Sequence, residues 1–250
     1  MLNTDEKGIS LRFFGASNAE NFLFYLGALS FCEECFFMSE NGKVSKVLFS
    51  PLIRRSSAAD KIAYVAILTA LSVVANSFLE FKFLDNQYSF TIFFSTITGV
   101  FLGPILGFFA CFLGDVIGYF INSSGLIYMP WVGLSTGFFA LLAGFILGNV
   151  SEKKPKIIVI RILIFCILSF LICTIGINST GFYFFNKSKG FSPTVMNYFT
   201  TRFGGNATFF AYVAYRMFFK LQILNSLFNY ALIFVFLPLL FSVKGLRPYL

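Results

Sequence analysis

The chain has 250 residues, of which 57% are hydrophobic and only 12% charged, with mean hydropathy +0.80. A soluble domain carries about 25% charged residues, so this is a polytopic membrane protein, and its net charge of +8, spread without a dense basic stretch, excludes a nucleic-acid surface. There is no histidine, and the five cysteines are scattered, with Cys32 and Cys35 as a lone pair; neither a metal or cofactor site nor Ser-His-Asp catalysis is expected.

Residues 1–57 read as a cytoplasmic N-terminal extension. The stretch Asn21–Met38 is apolar but carries Glu33 and Glu34, and it lacks the basic flank of a signal peptide. A polar run, Ser39–Lys46, and then Arg54-Arg55 follow. Two readings stand: the natural chain starts at Met38, or the first residues form an interfacial helix.

Residues 58–250 read as an all-α membrane domain, a bundle of six transmembrane helices. The spans are expected at residues 60–79, 89–103, 104–121, 130–148, 157–178 and 210–241. Gly103-Pro104 makes a tight turn, with Pro104 opening the third helix. A long polar and aromatic connection, residues 179–208, precedes the sixth span, whose length implies a lead-in turn outside the hydrocarbon.

Orientation follows from the cations. One side collects Lys43, Lys46, Arg54, Arg55, Lys61, Lys153, Lys154, Lys156, Arg161, Lys244 and Arg247, and the other has Lys82, Lys187, Lys189 and Arg202. The richer side is cytoplasmic, which places both termini there and the loops at 80–88, 122–129 and 179–208 outside.

Between Tyr88 and Leu250 there are two carboxylates, and one of them, Asp115, lies inside an apolar span. A charge at membrane depth faces a partner or a cavity. At 1.5 Å per residue Asp115 lies roughly 16 Å along its helix, just past the midplane, with Tyr119 one turn beyond on the same face. Arg216 is expected at similar height in the sixth span, with Lys220 one turn deeper. Asp115 and Arg216 form either a structural ion pair or the charged walls of an outward-facing cavity for a polar solute. Tyr88, Asn122, Tyr128 and Trp131, along with Asp85, Asn86, Gln87, Asn178 and Tyr183, are the outer groups that could contact such a solute or anchor the interface.

The first span carries Ala63, Ala66 and Ala70 at near-helical spacing, a small-residue face for close helix approach, either internal or to a partner. No Gly-x-x-x-x-Gly-Lys-Ser/Thr phosphate loop occurs, so the chain is not expected to be an enzyme of that type; uphill movement needs an ion gradient or a partner.

Three stretches, Lys61–Ser72, Val100-Phe-Leu-Gly-Pro-Ile-Leu-Gly-Phe108 and Gly114-Asp115, resemble the substrate-binding S component of an energy-coupling factor (ECF) vitamin transporter, most closely the folate-type subgroup, over about residues 58–241. The Ala66-x-x-x-Ala70 element resembles the docking motif of that family. Tyr215-Arg216 resembles the position where folate-type members carry an arginine. The resemblance implies a multi-pass protein of a bacterial cell membrane. It also implies a high-affinity pocket for folate or a pterin-like vitamin, and docking on a transmembrane coupling subunit driven by two cytoplasmic ATPases, with the S component toppling to release its vitamin inside. Asp115 would then pair with ring N–H donors, Arg216 with a carboxylate, and Tyr128 and Trp131 would stack on the ring. The alternatives are an S component for another vitamin or modified base, an ion-coupled secondary carrier, and a purely structural membrane protein.

Overall fold

A computed structural model describes residues 47–83, 86–121, 127–148 and 155–242. These belong to one compact unit, Lys46–Leu250. Of the N-terminal extension, residues 47–57 fall within it. Helix α1 (Pro51–Arg55) starts at the N-cap Ser50 and buries Leu52 and Ile53. The Ser50 hydroxyl donates to the Phe101 carbonyl. Gly103 turns there at φ +88°, and a Cβ on it would lie 2.7 Å from the Ser50 nitrogen. Only glycine meets both demands.

Helix α2 (Ala58–Ser77) is capped by Ser57. An antiparallel hairpin follows, β1 (Glu80–Phe83) and β2 (Asn86–Ser89), pairing Phe81 with Tyr88. Then come α3 (Thr91–Leu102), α4 (Pro104–Ile121) and α5 (Pro130–Leu147), with Pro104 opening α4 as expected. Helix α5 sits centrally and packs on α3, α4 and α6.

Helix α6 is α-helical over Pro155–Ser169, π-helical over Phe170–Ser179 and α-helical again over Thr180–Lys189. The expected connection at 179–208 is therefore largely helix. Hydropathy marks where the membrane ends, not where a helix ends. The continuous helix over Lys156–Lys189 spans 34 residues, about 51 Å at 1.5 Å per residue against a hydrocarbon core of about 30 Å. Gly190 at φ +88° stops α6, and α7 (Pro193–Phe203) follows.

The last segment is also divided. Helix α8 is α-helical over Phe209–Ala214 and π-helical over Tyr215–Phe219, and α9 covers Gln222–Ser242. Between them Leu221 stands at φ +48°, a strained setting for a bulky side chain. The 21 residues of α9 reach about 31 Å, enough to cross without α8. Helices α2, α4, α5, α6 and α9 are long and apolar enough to span a membrane; α3, at 12 residues, is shorter.

Two apolar clusters hold the bundle. The larger joins Ile92 and Val100 of α3, Phe139 and Leu147 of α5, Phe165 and Cys173 of α6, and Ile233 and Leu237 of α9. The smaller joins Tyr183 of α6 to Val195 and Phe199 of α7 and to Tyr212 and Tyr215 of α8. Polar clamps attach the hairpin. Asn225 Oδ1 accepts from the Ser89 backbone nitrogen at 3.2 Å. Asn229 donates to the Ser89 carbonyl at 2.8 Å and accepts from the Phe93 nitrogen at 3.1 Å. Asn229 is fully buried. Replacing Asn229 by Ala strands both backbone groups and is expected to cost about 2–3 kcal/mol, read as a lower melting temperature of the solubilised protein. An unchanged melt would contradict the clamp.

Candidate functional site

Two polar centres form at the hairpin end of the bundle. The first is Asp115, buried on the inner face of α4. The Tyr128 hydroxyl donates to Asp115 Oδ2 at 3.3 Å. Helix α5 can pass this closely because position 133 is glycine: a Cβ there would lie 2.9 Å from the same carboxylate oxygen and would also meet the Tyr128 hydroxyl. The Tyr119 ring lies 5.1 Å from that of Tyr128. Asp115, Tyr119 and Tyr128 are thus brought together; the spacing on α4 implied the first two, and Tyr128 was expected only among the outer groups.

The second centre is Arg216. Its guanidinium is buried, donates through Nη1 to Ser179 Oγ at 3.3 Å, and lies over the Phe182 ring, 4.4 Å from the centroid. Such stacking stabilises a desolvated guanidinium. The partner geometry comes from two π-helical segments. In α6 the wider turn lets the Ser179 hydroxyl also donate to the Thr174 carbonyl, five residues back, at 2.8 Å. In α8 the π turn Tyr215–Phe219 carries Arg216. Where π turns meet, function is common. The hydrogen bond of Arg216 goes to α6, and among the described residues no carboxylate partners it. The ion pair with Asp115 considered from sequence is not formed.

Trp131 connects the centres. It lies three residues after Tyr128, in the first turn of α5. Its ring meets the Phe182 ring edge-on at 5.7 Å and the Phe185 ring at 5.5 Å. Trp131 Nε1, a donor, and Asn178 Oδ1, an acceptor, are buried without a hydrogen-bond partner. Buried polar groups are normally satisfied; here Trp131 shares the Phe182 ring with Arg216, and Asn178 precedes Ser179 in the chain. Ser179 and Phe182 were not singled out from sequence. Hydroxyl and phenyl groups abound in this chain, and only the π turns reveal which of them face Arg216.

The other expected site residues fall elsewhere. Tyr88 is buried in β2. Lys220 is exposed at the break between α8 and α9, away from the buried face that carries Arg216. Tyr183 belongs to the smaller cluster, with its hydroxyl bonded to the Ala207 carbonyl at 3.2 Å, so it holds the fold. Asn122 and Asp85 lie outside the described residues, as do the side chains of Asn86 and Gln87. Ala63, Ala66 and Ala70 are all exposed on α2, so they are not internal packing contacts.

No curated protein matches the chain. Among solved structures, one that resembles it is the crystal structure of FolT bound with folic acid. The two share 18% identity over 70% of this chain and 93% of that one, with a TM-score of 0.43. The family model for the ECF-type riboflavin transporter S component matches residues 56–197, which run from the start of α2 into α7. More than half of the sequence is covered by that match, and it contains both the alanine face of α2 and Asp115. The chain therefore belongs to the family of S components of ECF-type riboflavin transporters, integral membrane proteins of a transport system rather than enzymes.

Proposed function

We propose that the protein is a high-affinity vitamin-binding subunit. It takes folate or a related pterin-like solute from the extracellular side and docks through α2 on a transmembrane coupling subunit driven by two ATPases. The observation that carries the solute class is Arg216. It is a desolvated guanidinium with an aromatic floor, a serine partner and, among the described residues, no carboxylate. A guanidinium so placed favours a carboxylate, which it clamps with two parallel hydrogen bonds. Asp115, held by Tyr128, suits adjacent ring N–H donors. Trp131 Nε1 and Asn178 Oδ1 supply one donor and one acceptor between them.

The family match favours a second reading, riboflavin. Riboflavin has a fused ring and no carboxylate, so Arg216 would face a ring carbonyl instead. Titrating the purified protein with folic acid and with riboflavin separates the two. With folate as solute, Arg216→Ala is expected to weaken folic acid binding by roughly tenfold or more, since a hydrogen bond between charged groups is worth about 1.5–3 kcal/mol. Asp115→Asn, which replaces an acceptor with a donor, is expected to weaken binding by a similar factor. Wild-type affinity in both variants would remove both residues from the site.

The docking reading rests on exposure. Only 11% of the most apolar window of α2 is buried in the bundle, against 33–50% in the other four long helices. Small residues on an open face let another helix approach closely. Replacing Ala66 or Ala70 by Trp is expected to abolish transport and leave solute binding nearly intact. Loss of binding would show instead that the face shapes the pocket.

A further inference from the structure

A second polar feature runs beside Asp115, between α2, α3 and α4. Helix α3 carries Thr91, Ser95 and Thr98 at helical spacing, so they follow one another down one side. Helix α2 answers with Ser72 and Asn76, one turn apart. At its outer end Thr91 Oγ1 donates to Asn76 Oδ1 at 2.9 Å, next to the start of the hairpin. One turn deeper the hydroxyls of Ser72, Ser95 and Thr98 gather around the Cys111 thiol of α4, on the same inner face as Asp115. Helix α4 approaches this closely because Gly114 has no side chain; a Cβ there would lie 2.6 Å from Ser72 Cβ.

The hydrogen bonding of this column is incomplete at both levels. Several other buried hydroxyls in the bundle reach a backbone carbonyl, on their own helix or on a neighbour, as Ser77 does at Gly118 and Ser135 at Cys173. Thr96 donates to the Ile92 carbonyl at 2.7 Å, and Thr136 to the Gly133 carbonyl at 2.8 Å. Ser95 Oγ and Thr98 Oγ1 reach no carbonyl and have only the weak Cys111 thiol beside them, and Asn76 Nδ2 is also left open. Ser95 and Thr98 are 1% and 0% exposed. Inside a membrane bundle such groups are costly unless something polar reaches them.

We propose that this column is the inner part of the solute site and takes an uncharged, hydrogen-bonding edge of a heterocyclic ring, presented from the hairpin end alongside Asp115. The column holds hydroxyls and one amide and no formal charge, so it selects carbonyl oxygens and ring nitrogens over carboxylates or phosphates. The charged end of a solute would then remain at Arg216. This assignment rests on the solute-binding reading above and adds residues of α2 and α3 to it.

The test uses the full-length solubilised protein, titrated with riboflavin and with folic acid, in wild-type form and as Ser95→Ala, Thr98→Val, the double variant and Thr98→Ser. The expected result is a loss of roughly fivefold for each single change and roughly twentyfold for both, with Thr98→Ser close to wild type. The empty double variant should melt close to wild type, because the hydroxyls it loses meet only the Cys111 thiol, a weak hydrogen-bonding group. Wild-type affinity in the double variant overturns the proposal. A clear fall in the melting temperature of the empty double variant also overturns it, since the hydroxyls would then serve an internal network of bound water. Binding of neither probe by wild type overturns the vitamin-binding reading itself, and this one with it.

Discussion

Every functional feature of this protein follows from the cost of placing polar groups inside an apolar bundle. A buried charge or an unpaired hydroxyl is tolerated there only when a neighbour or an incoming molecule answers it. Asp115 and Arg216 are both buried, yet the arginine bonds to Ser179 on another helix. An aromatic frame holds them as separate centres, with Tyr128 at the carboxylate and Phe182 beneath the guanidinium. Trp131, packed on Phe182 three residues after Tyr128, ties one to the other. The two centres are thereby held apart by packed aromatic rings rather than paired with each other.

The rest of the architecture positions that frame. Asn225 and Asn229 of α9 fasten the end of the hairpin and the start of α3. The smaller aromatic cluster joins the end of α6 to α7 and α8, where Asn186 bonds the Tyr212 hydroxyl at 2.9 Å. Arg216 therefore sits on a packed support rather than on a loose connection. On the remaining side α2 contributes little to the interior and leaves its alanines open. The proposed solute contacts and the proposed docking face thus fall on different surfaces.

Much of this was legible in the sequence because hydrocarbon imposes simple rules. The apolar runs located the long helices, Gly103-Pro104 located the turn into α4, and the isolation of Asp115 drew attention to its helix. The length of the last segment implied that it is divided, as it is between α8 and α9. What was not legible depends on backbone departures that carry no residue signature. The π turns at Phe170–Ser179 and Tyr215–Phe219 contain no proline, and the break at Leu221 contains neither proline nor glycine. For that reason Lys220, expected one turn deeper than Arg216 on a continuous helix, stands exposed at the break. The polar character of residues 179–208 likewise disguised an amphipathic helical support as a loop.

The break at Leu221 also resembles the interrupted helices of ion-coupled carriers, so the energy source is the point on which the account turns. The direct measurement is solute uptake by vesicles containing the protein alone and by vesicles that also contain a coupling subunit and its ATPases. The account predicts binding without accumulation by the protein alone, and accumulation that requires ATP and the partners. Accumulation by the protein alone, driven by a sodium or proton gradient, would contradict it.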